Sequence, residues 1–486
     1  QLEISSTHSS YCYYPSVLKF LIMVCSGLVK HLFVLVLSFS GCRAEDAKPS
    51  FAPAGAAMEI LKLHRSSVML PQDAHRAGKR KNFYSATLSV GNPPQEFKVS
   101  FDLGGGTMIL PSNTCTDPAC LERHRYNKWD SSTAEDIQAN GQLVEPKVPK
   151  TLLSRRDHGT LGLDSIDIGS GKVVGNFVRE QICVLGDSEV SPDGKPRCFP
   201  LALLAANTMS DFPFLTEPYD GSVGLGLRGM SLSNEFNFLA SYQQGYYMNS
   251  LAVNSFGLHL GSDSDGGEIV FGGYDMKRLT HPLKWTSVTA PEEGRWQVSV
   301  TAIRVGNTTL EACRKRPCRA ALDYSSSLLS APTNLVSNLE NALAGLAAPE
   351  GFSDGCQYVS IPEITLELAN NFSLTLPAED YVSEFGSRKS LISKTSCEPR
   401  LGHHHNDELL GEDVFILGES TLRRYYTVFD VDALKIGFSL AASSEAAKAL
   451  PALQNEEGAI DDKKNGKGAP VIFLVQVTVK KSKIMY

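Results

Sequence analysis

The chain of 486 residues lacks a hydrophobic run long enough to cross a membrane, and it has no excess of positive charge. Its most apolar stretches lie near the N-terminus, where Lys30 divides them into runs shorter than the roughly 20 residues of a spanning helix. A net charge of −7 gives the chain no general attraction to nucleic acid. We therefore expect no stable membrane span and no nucleic-acid partner.

The sequence also lacks the Cys-x-x-Cys pairs that are typical of zinc sites, although it has 11 cysteines. A run of three histidines, His403–His405, has no acidic neighbours at ligand spacing, so we expect it to be a solvated loop. We expect neither a metal nor a cofactor.

The N-terminal region has the pattern of a secretory signal. The chain starts with Gln1, and its first methionine is Met23, which precedes a short polar start, the apolar stretch LFVLVLSFSG and small residues. We interpret residues 1–22 as upstream translation and 23–44 as a signal peptide, with a membrane anchor as the alternative. Sequons at Asn307 and Asn371 fit a secreted glycoprotein. The expected location is extracellular or a lysosome- or vacuole-like compartment.

Eight cysteines remain when that segment is removed, and an even number in a secreted chain indicates disulfides. Pairing of sequence neighbours would join Cys115 to Cys120, Cys183 to Cys198, Cys313 to Cys318, and Cys356 to Cys397. Spacing alone leaves other pairings open.

A basic stretch follows the predicted signal. Residues 60–81 hold six Lys or Arg and one Asp, a net charge of +5, so the rest of the chain carries −12. We interpret residues 45–81 as a propeptide that latches onto the acidic body and loosens when carboxylates are protonated. The alternative is a solvated basic linker without a regulatory role. At the other end of the chain, residues 443–486 have a composition typical of a disordered tail.

Two stretches of the chain form an internal repeat. KVSFDLGGGTMILP brings an apolar run to Asp102, and AALDYSSSLLSAP brings one to Asp323. Small residues follow each aspartate, a proline comes nine positions after it, and each half later holds a matching segment, SVGLGL or FILGES. One Gly-rich stretch alone is often only a tight turn. The repetition instead predicts two related lobes that each bring one aspartate to a shared seam.

Two carboxyl groups at one seam can perform acid–base catalysis. At a separation of about 3 Å they cannot both ionise readily, so they share a proton and their apparent pKa values separate. The ionised member can take a proton from a water molecule while the protonated member donates to a carbonyl oxygen. The activated water can then attack an amide, with no covalent intermediate and no metal.

Several stretches of the chain resemble the pepsin-like aspartic peptidases. FYSATLSVGNPPQEFKVSFDLGGG is similar to the first strands and first Asp-Thr-Gly motif of that family, and LDYSSS lies where the second motif would be. YDGSVGLGL, GGEIVFGGYD, GRWQVSV and FILGESTLRRYYTVFDVDALKIGFSLA extend the resemblance over residues 82–442. It implies a mostly β, bilobal fold with lobes at 82–252 and 253–442, a central peptide-binding cleft and a propeptide that blocks it. We expect a monomer.

The resemblance assigns the catalytic pair to Asp102 and Asp323, with Gly104 and the hydroxyl of Ser326 in support, and places His158, Gly159 and Thr160 in the flap over the cleft. Six family positions are altered, at Leu103, Gly105, Ile109, His158, Tyr324 and Ser325. Leu103 and Tyr324 replace threonines that in the family bond to the opposite loop. Leu cannot make that bond, and Tyr is expected to be too large to make it in the same place.

These features predict an aspartic-type endopeptidase that cleaves extended polypeptides at acidic pH with reduced activity. The alternative is a catalytically impaired protein of the same fold that binds peptides or acts as an inhibitor. The retained aspartate pair favours the first function, because an idle site has no need of two like charges in contact. The altered positions favour the second.

Overall fold

The computed structural model describes residues 58–69, 80–144, 164–168, 171–184, 196–247, 254–261, 266–344, 361–385, 396–404, 411 and 413–442. Strands dominate these residues. In chain order they are β1 (Glu59–Met69), β2 (Arg80–Val90), β3 (Gln95–Asp102), β4 (Met108–Pro111), β5 (Glu135–Asp136), β6 (Asp164–Ile168), β7 (Gly171–Val184), β8 (Arg197–Met209), β9 (Gly221–Gly224), β10 (Ser255–Leu260), β11 (Gly267–Phe271), β12 (Lys284–Ser287), β13 (Gln297–Val305), β14 (Thr308–Thr309), β15 (Cys318–Leu322), β16 (Ser330–Pro332), β17 (Ile364–Leu368), β18 (Ser373–Leu376), β19 (Val382–Phe385), β20 (Ser396–Pro399), β21 (Gly402–His404), β22 (Val414–Leu417), β23 (Tyr425–Asp430) and β24 (Lys435–Leu440).

The helices are short and lie between strands. They are α1 (Pro118–Leu121), α2 (Phe238–Tyr247), α3 (Thr333–Ala344), α4 (Ala378–Tyr381) and α5 (Glu419–Arg424). Single 3₁₀ turns occupy Lys128–Asp130, Phe214–Thr216, Arg228–Met230, Asn234–Phe236, Met276–Arg278 and Pro291–Glu293. Among the described residues, no helix has the length and apolar character needed to cross a bilayer.

Two large sheets contain most of the strands. The first has 14 strands in the order β12-β24-β23-β10-β11-β1-β2-β3-β9-β4-β8-β7-β5, with β6 on β7. The second has eight, in the order β18-β17-β13-β15-β22-β16-β21, with β14 on β13. The prediction of a mostly β architecture is confirmed.

The internal repeat is a repeat of topology. In the first copy β9 lies parallel to β3 and antiparallel to β4, which runs parallel to β8. In the second copy β22 lies parallel to β15 and antiparallel to β16, which runs parallel to β21. Both aspartates therefore stand where equivalent strands, β3 and β15, end.

Hydrophobic periodicity explains how β3 forms and what anchors it. Phe97, Val99 and Phe101 alternate with less buried residues, so every second side chain enters the core. The ring of Phe101 lies 6.2 Å, centroid to centroid, from the rings of Phe238 and Phe271. Burying each such ring contributes about 2–3 kcal/mol, and this packing fixes the strand that carries Asp102.

The basic N-terminal stretch is partly an ordered strand. Residues of β1 pair antiparallel first with β11 and then with β2, and Leu61 and Leu63 are buried. The Nζ of Lys62 lies 2.9 Å from an oxygen of Glu268, whose side chain is only 1% exposed. The alternative of a solvated linker is therefore wrong for Glu59–Met69, whereas residues 70–79 lie outside the described residues.

Three of the four predicted disulfides are confirmed, joining Cys115 to Cys120, Cys183 to Cys198 and Cys313 to Cys318. The fourth stays a prediction because Cys356 lies outside the described residues. The described part of the histidine run is a strand rather than the expected loop, although the side chain of His403 is exposed as expected. His403 and His404 end β21, whose backbone pairs with β16.

Candidate active site

The backbone around Asp102 is held tightly by β9. Asp102 lies opposite Gly224 in the β3–β9 pair, and its carbonyl oxygen accepts a hydrogen bond of 2.7 Å from the N–H of Leu225. A side chain at Gly224 would lie 2.5 Å from the carbonyl oxygen of Gly105. Glycine is therefore required at 224 for the close approach of these two segments.

Asp323 occupies the equivalent position after β15. Its N–H donates to the carbonyl oxygen of Leu417 at 3.1 Å, and its own carbonyl accepts from the N–H of Ser326 at 3.2 Å. The carbonyl of Ser326 in turn accepts a bond of 2.7 Å from the N–H of Glu419, at the start of α5. Each aspartate loop is thus fixed to the neighbouring apolar-Gly segment of its own half of the chain.

The two carboxylates have different hydrogen-bond partners. An oxygen of Asp102 accepts from the N–H of Gly104 at 2.8 Å, so Gly104 lies where a supporting donor was predicted. Asp323 accepts from both the N–H and the hydroxyl of Ser325, each at 2.8 Å.

The supporting hydroxyl predicted at Ser326 is on the neighbouring residue instead. The hydroxyl of Ser326 donates to the carbonyl oxygen of Leu328 at 3.2 Å and lies 3.1 Å from the hydroxyl of Ser330. The serine that replaces the family's glycine, Ser325, takes over the bond to Asp323. Residue type and spacing could not distinguish these two neighbouring serines, because the distinction depends on which one the turn directs at the carboxylate.

Gly105 leaves the first carboxylate without an equivalent hydroxyl. A β-carbon placed on Gly105 would lie 2.6 Å from an oxygen of Asp102. With the carboxylate in this orientation, no hydroxyl-bearing side chain fits at 105. Among the described residues, Asp102 therefore has backbone donors alone, whereas Asp323 also has the hydroxyl of Ser325.

Burial and a neighbouring charge both act on Asp102. Loss of solvation raises the pKa of the Asp102 carboxyl above its usual range, and the negative charge of Asp323 raises it further. The N–H groups of Gly104 and Gly105 oppose this shift, and the charge of Glu217 adds to it. Asp102 consequently holds a proton at pH values where an ordinary aspartate is ionised.

Leu103 and Tyr324, which replace the two threonines, differ in whether they form a polar contact. The side chain of Leu103 is in the hydrophobic core, 1% exposed, and offers no polar contact. Tyr324 is also buried, but its hydroxyl donates a hydrogen bond to the carbonyl oxygen of Phe101, across the seam and next to Asp102. The size of Tyr324 does not prevent a bridge to the opposite strand, because its ring lies in the core and only its hydroxyl reaches the carbonyl oxygen of Phe101.

The flap residues His158, Gly159 and Thr160 lie outside the described residues. Ile109, at the position of the family's supporting tryptophan, is described. It is buried in an apolar cluster that includes the Cys115–Cys120 disulfide.

A charged cluster near Asp102 was not found from the sequence. The guanidinium of Arg123 donates to four carbonyl oxygens, those of Phe214, Glu217, Tyr219 and Asp220. It thereby fixes the segment that carries Glu217, whose carboxyl pKa is raised by burial. No local motif marks this cluster, since Arg123 and Glu217 are 94 positions apart.

The chain is similar in sequence to known proteins over most of its length. The sequence profile of the family described as eukaryotic aspartyl protease matches residues 83–181 and 165–441. Pepsin II-2/3 of Oryctolagus cuniculus is 28% identical over 362 residues, covering 74% of this chain and 81% of the relative. Pepsin A of Callithrix jacchus is 27% identical with the same coverage. Cathepsin E of Aquarana catesbeiana is 25% identical, covering 73% of this chain and 79% of the relative.

Proposed function

This chain belongs to the eukaryotic aspartyl protease family and has its bilobal pepsin-like fold, and we propose that it is an aspartic endopeptidase active on extended polypeptides at acidic pH. One observation carries the proposal. Asp102 and Asp323 stand at the ends of equivalent strands of a repeated motif, and burial together with the charge of Asp323 raises the pKa of Asp102.

The proposed reaction uses one proton shared by the two carboxyl groups. Asp323, held by two donors from Ser325, is the ionised member that takes a proton from a bound water molecule. The water oxygen attacks the peptide carbonyl carbon while the protonated carboxyl of Asp102 donates its proton to the carbonyl oxygen. The nitrogen of the tetrahedral intermediate then accepts the proton held by Asp323, a hydroxyl of the intermediate returns a proton to Asp102, and the C–N bond breaks to give a new carboxyl terminus and a new amine.

The cellular setting is part of the same proposal. Disulfides are typical of oxidising compartments, so the three that join neighbouring cysteines support a secretory route to an extracellular or lysosome-like location. The pairing of β1 with β11 and β2 supports synthesis as a zymogen with its own propeptide. We further propose that the protein acts as a monomer.

A second function, peptide binding without useful catalysis, is favoured by two specific observations. Leu103 makes no polar bridge between the loops, and Gly105 places no hydroxyl on Asp102. Small errors in the placement of catalytic groups cost rate heavily. The same cleft would then bind an extended peptide and release it uncleaved.

Cleavage of quenched fluorescent peptide libraries between pH 3 and 6 tests the two functions against each other. The acid-treated protein is compared with Asp102→Asn and Asp323→Asn variants. Turnover that both variants lose, and that a statine-type transition-state analogue inhibits, supports the endopeptidase. Binding of the analogue or of library peptides without turnover above the variants rejects it in favour of the binding protein.

A further inference from the structure

We propose that Tyr324 is a positioning residue that ties the second aspartate loop to the strand immediately before Asp102. The inference rests on the proposed function, because the positions that it fixes are those of the reacting carboxyl groups. The family joins its two aspartate loops with a threonine from each loop. This protein would instead join them with the hydroxyl of one tyrosine, from the loop of Asp323.

The hydrogen bond of Tyr324 reaches the peptide unit of the catalytic residue. Its hydroxyl donates to the carbonyl oxygen of Phe101, and that carbonyl belongs to the peptide bond joining Phe101 to Asp102. A peptide unit is planar, so a bond to its oxygen also restrains its nitrogen and the Cα of Asp102. A side chain that only filled space would not need a hydroxyl at this point.

The ring of Tyr324 is also held in place, by burial and by an aromatic contact. Tyr324 is 4% exposed, and its ring meets the ring of Tyr84 edge-on, with centroids 6.0 Å apart and planes at 90°. Edge-to-face pairs of this kind are favourable because the positive edge of one ring meets the negative face of the other.

Tyr84 connects this pair to a buried carboxylate that holds the same loop from its other side. The Tyr84 hydroxyl donates to Glu419 at 2.9 Å, and the side-chain amide of Asn82 donates to both Glu419 oxygens at 3.0 and 3.1 Å. The backbone N–H of Glu419 donates to the carbonyl of Ser326. Glu419, 5% exposed, therefore links the ring pair to the loop of Asp323.

The Tyr324 hydroxyl can act as a donor throughout the working range of pH. Burial raises the pKa of the phenol, and the charges of Asp102 and Asp323 raise it further. The tether is therefore protonated wherever the aspartate pair is active, and its loss requires a change of residue rather than of pH.

The test compares Tyr324→Phe with Tyr381→Phe. Each substitution removes one hydroxyl from a buried tyrosine that donates to a backbone carbonyl, that of Phe101 or that of Pro362. The Asp102 carboxyl is titrated by carbon NMR of the isotopically labelled full chain, and kcat and KM are measured with a library peptide. We expect Tyr324→Phe to lower the apparent pKa of Asp102, by about one unit, because a loosened strand lets the two carboxyl groups separate and become better solvated. We expect kcat to fall by up to about 100-fold with little change in KM. Tyr381→Phe should change neither.

The outcomes separate this inference from the proposed function. If the wild-type protein has no turnover, the endopeptidase proposal fails, and the titration of Asp102 still tests the tether. An Asp102 titration that is the same in Tyr324→Phe and Tyr381→Phe overturns the tether, even if both variants lose stability. Should Tyr324→Phe not fold, Tyr84→Leu removes the edge-on ring contact while leaving the Tyr324 hydroxyl in place. A smaller downward shift in the Asp102 titration supports the tether in that variant, and no shift overturns it.

Discussion

Single residues near the aspartates determine which hydrogen bonds stabilise the charged form of each carboxyl group. Asp102 has backbone donors and no hydroxyl, whereas Asp323 has a backbone donor and the hydroxyl of Ser325. Donors to a carboxylate stabilise its charged form. In the proposed mechanism Asp102 is the acid, because burial and the charge of Asp323 raise its pKa, and Asp323 with its hydroxyl donor is the base.

Replacing Ser325 with alanine tests that difference. The variant keeps the N–H donor to Asp323 and loses only the hydroxyl bond of 2.8 Å. We expect the acidic limb of the kcat/KM profile to move to higher pH, because the charged form of the pair loses about 1–2 kcal/mol of stabilisation. Ser326→Ala should have the smaller effect, since that hydroxyl bonds to Leu328 and Ser330. Equal effects of the two variants would contradict the assignment.

The charge of Glu217 should influence the other limb. Because this charge helps to raise the pKa of Asp102, Glu217→Gln should lower that pKa, and the basic limb of the kcat/KM profile should move to lower pH. The control is Glu135→Gln, which removes an exposed carboxylate that pairs with Arg179. A basic limb that stays in place in Glu217→Gln, or moves equally in both variants, would show that Glu217 does not act on the pair.

Among the elements, β1 makes part of the basic N-terminal stretch a strand of the central sheet. Its leucines enter the core, and its backbone pairs with two strands of the central sheet. Burial alone would raise the pKa of Glu268. Hydrogen bonds from Arg278 and Lys62 outweigh that effect and lower this pKa to about 2. The stabilisation from this ion cluster is therefore complete above pH 4.5 and is lost only as the pH falls through about 2.

This strand should therefore remain bound in moderate acid. We expect hydrogen exchange of the β1 amides to show similar opening free energies at pH 7 and pH 4, contrary to the prediction of a latch that loosens in acid. Glu268→Gln should weaken this protection at both pH values, by about 1–3 kcal/mol, since it removes the buried negative charge that accepts hydrogen bonds from Lys62 and Arg278. Release of β1 from the wild-type protein at pH 4 would contradict this account.

Over the whole molecule, the sequence predicted what depends on local pattern. The repeat around Asp102 and Asp323 predicted the matching strand topology, because apolar runs, small residues and prolines recur at the same spacing. Three disulfides were predicted from another local feature, the pairing of cysteines that are neighbours in the sequence.

Contacts between distant parts of the chain could not be predicted in this way. The Tyr324 hydroxyl and the carbonyl of Phe101 are 223 positions apart, and Lys62 and Glu268 are 206 positions apart. Each of these contacts depends on the packing of strands that the local sequence does not specify. Such contacts explain what the sequence did not predict at Tyr324 and at the N-terminal stretch, and the strand at His403 and His404 likewise depends on pairing with β16. The correction at Ser326 is different, because it depends on which serine a local turn directs at Asp323.

The most direct test of the account is whether Asp102 and Asp323 titrate as one pair. Carbon NMR of the labelled full chain would follow the Asp102 carboxyl in the wild-type protein and in Asp323→Asn. We predict that wild-type Asp102 titrates well above the ordinary value of about 3.9. The substitution should lower that pKa without restoring the ordinary value, because burial remains as the larger cause. An Asp102 that titrates at the ordinary value, unchanged by Asp323→Asn, would contradict the existence of a coupled catalytic pair.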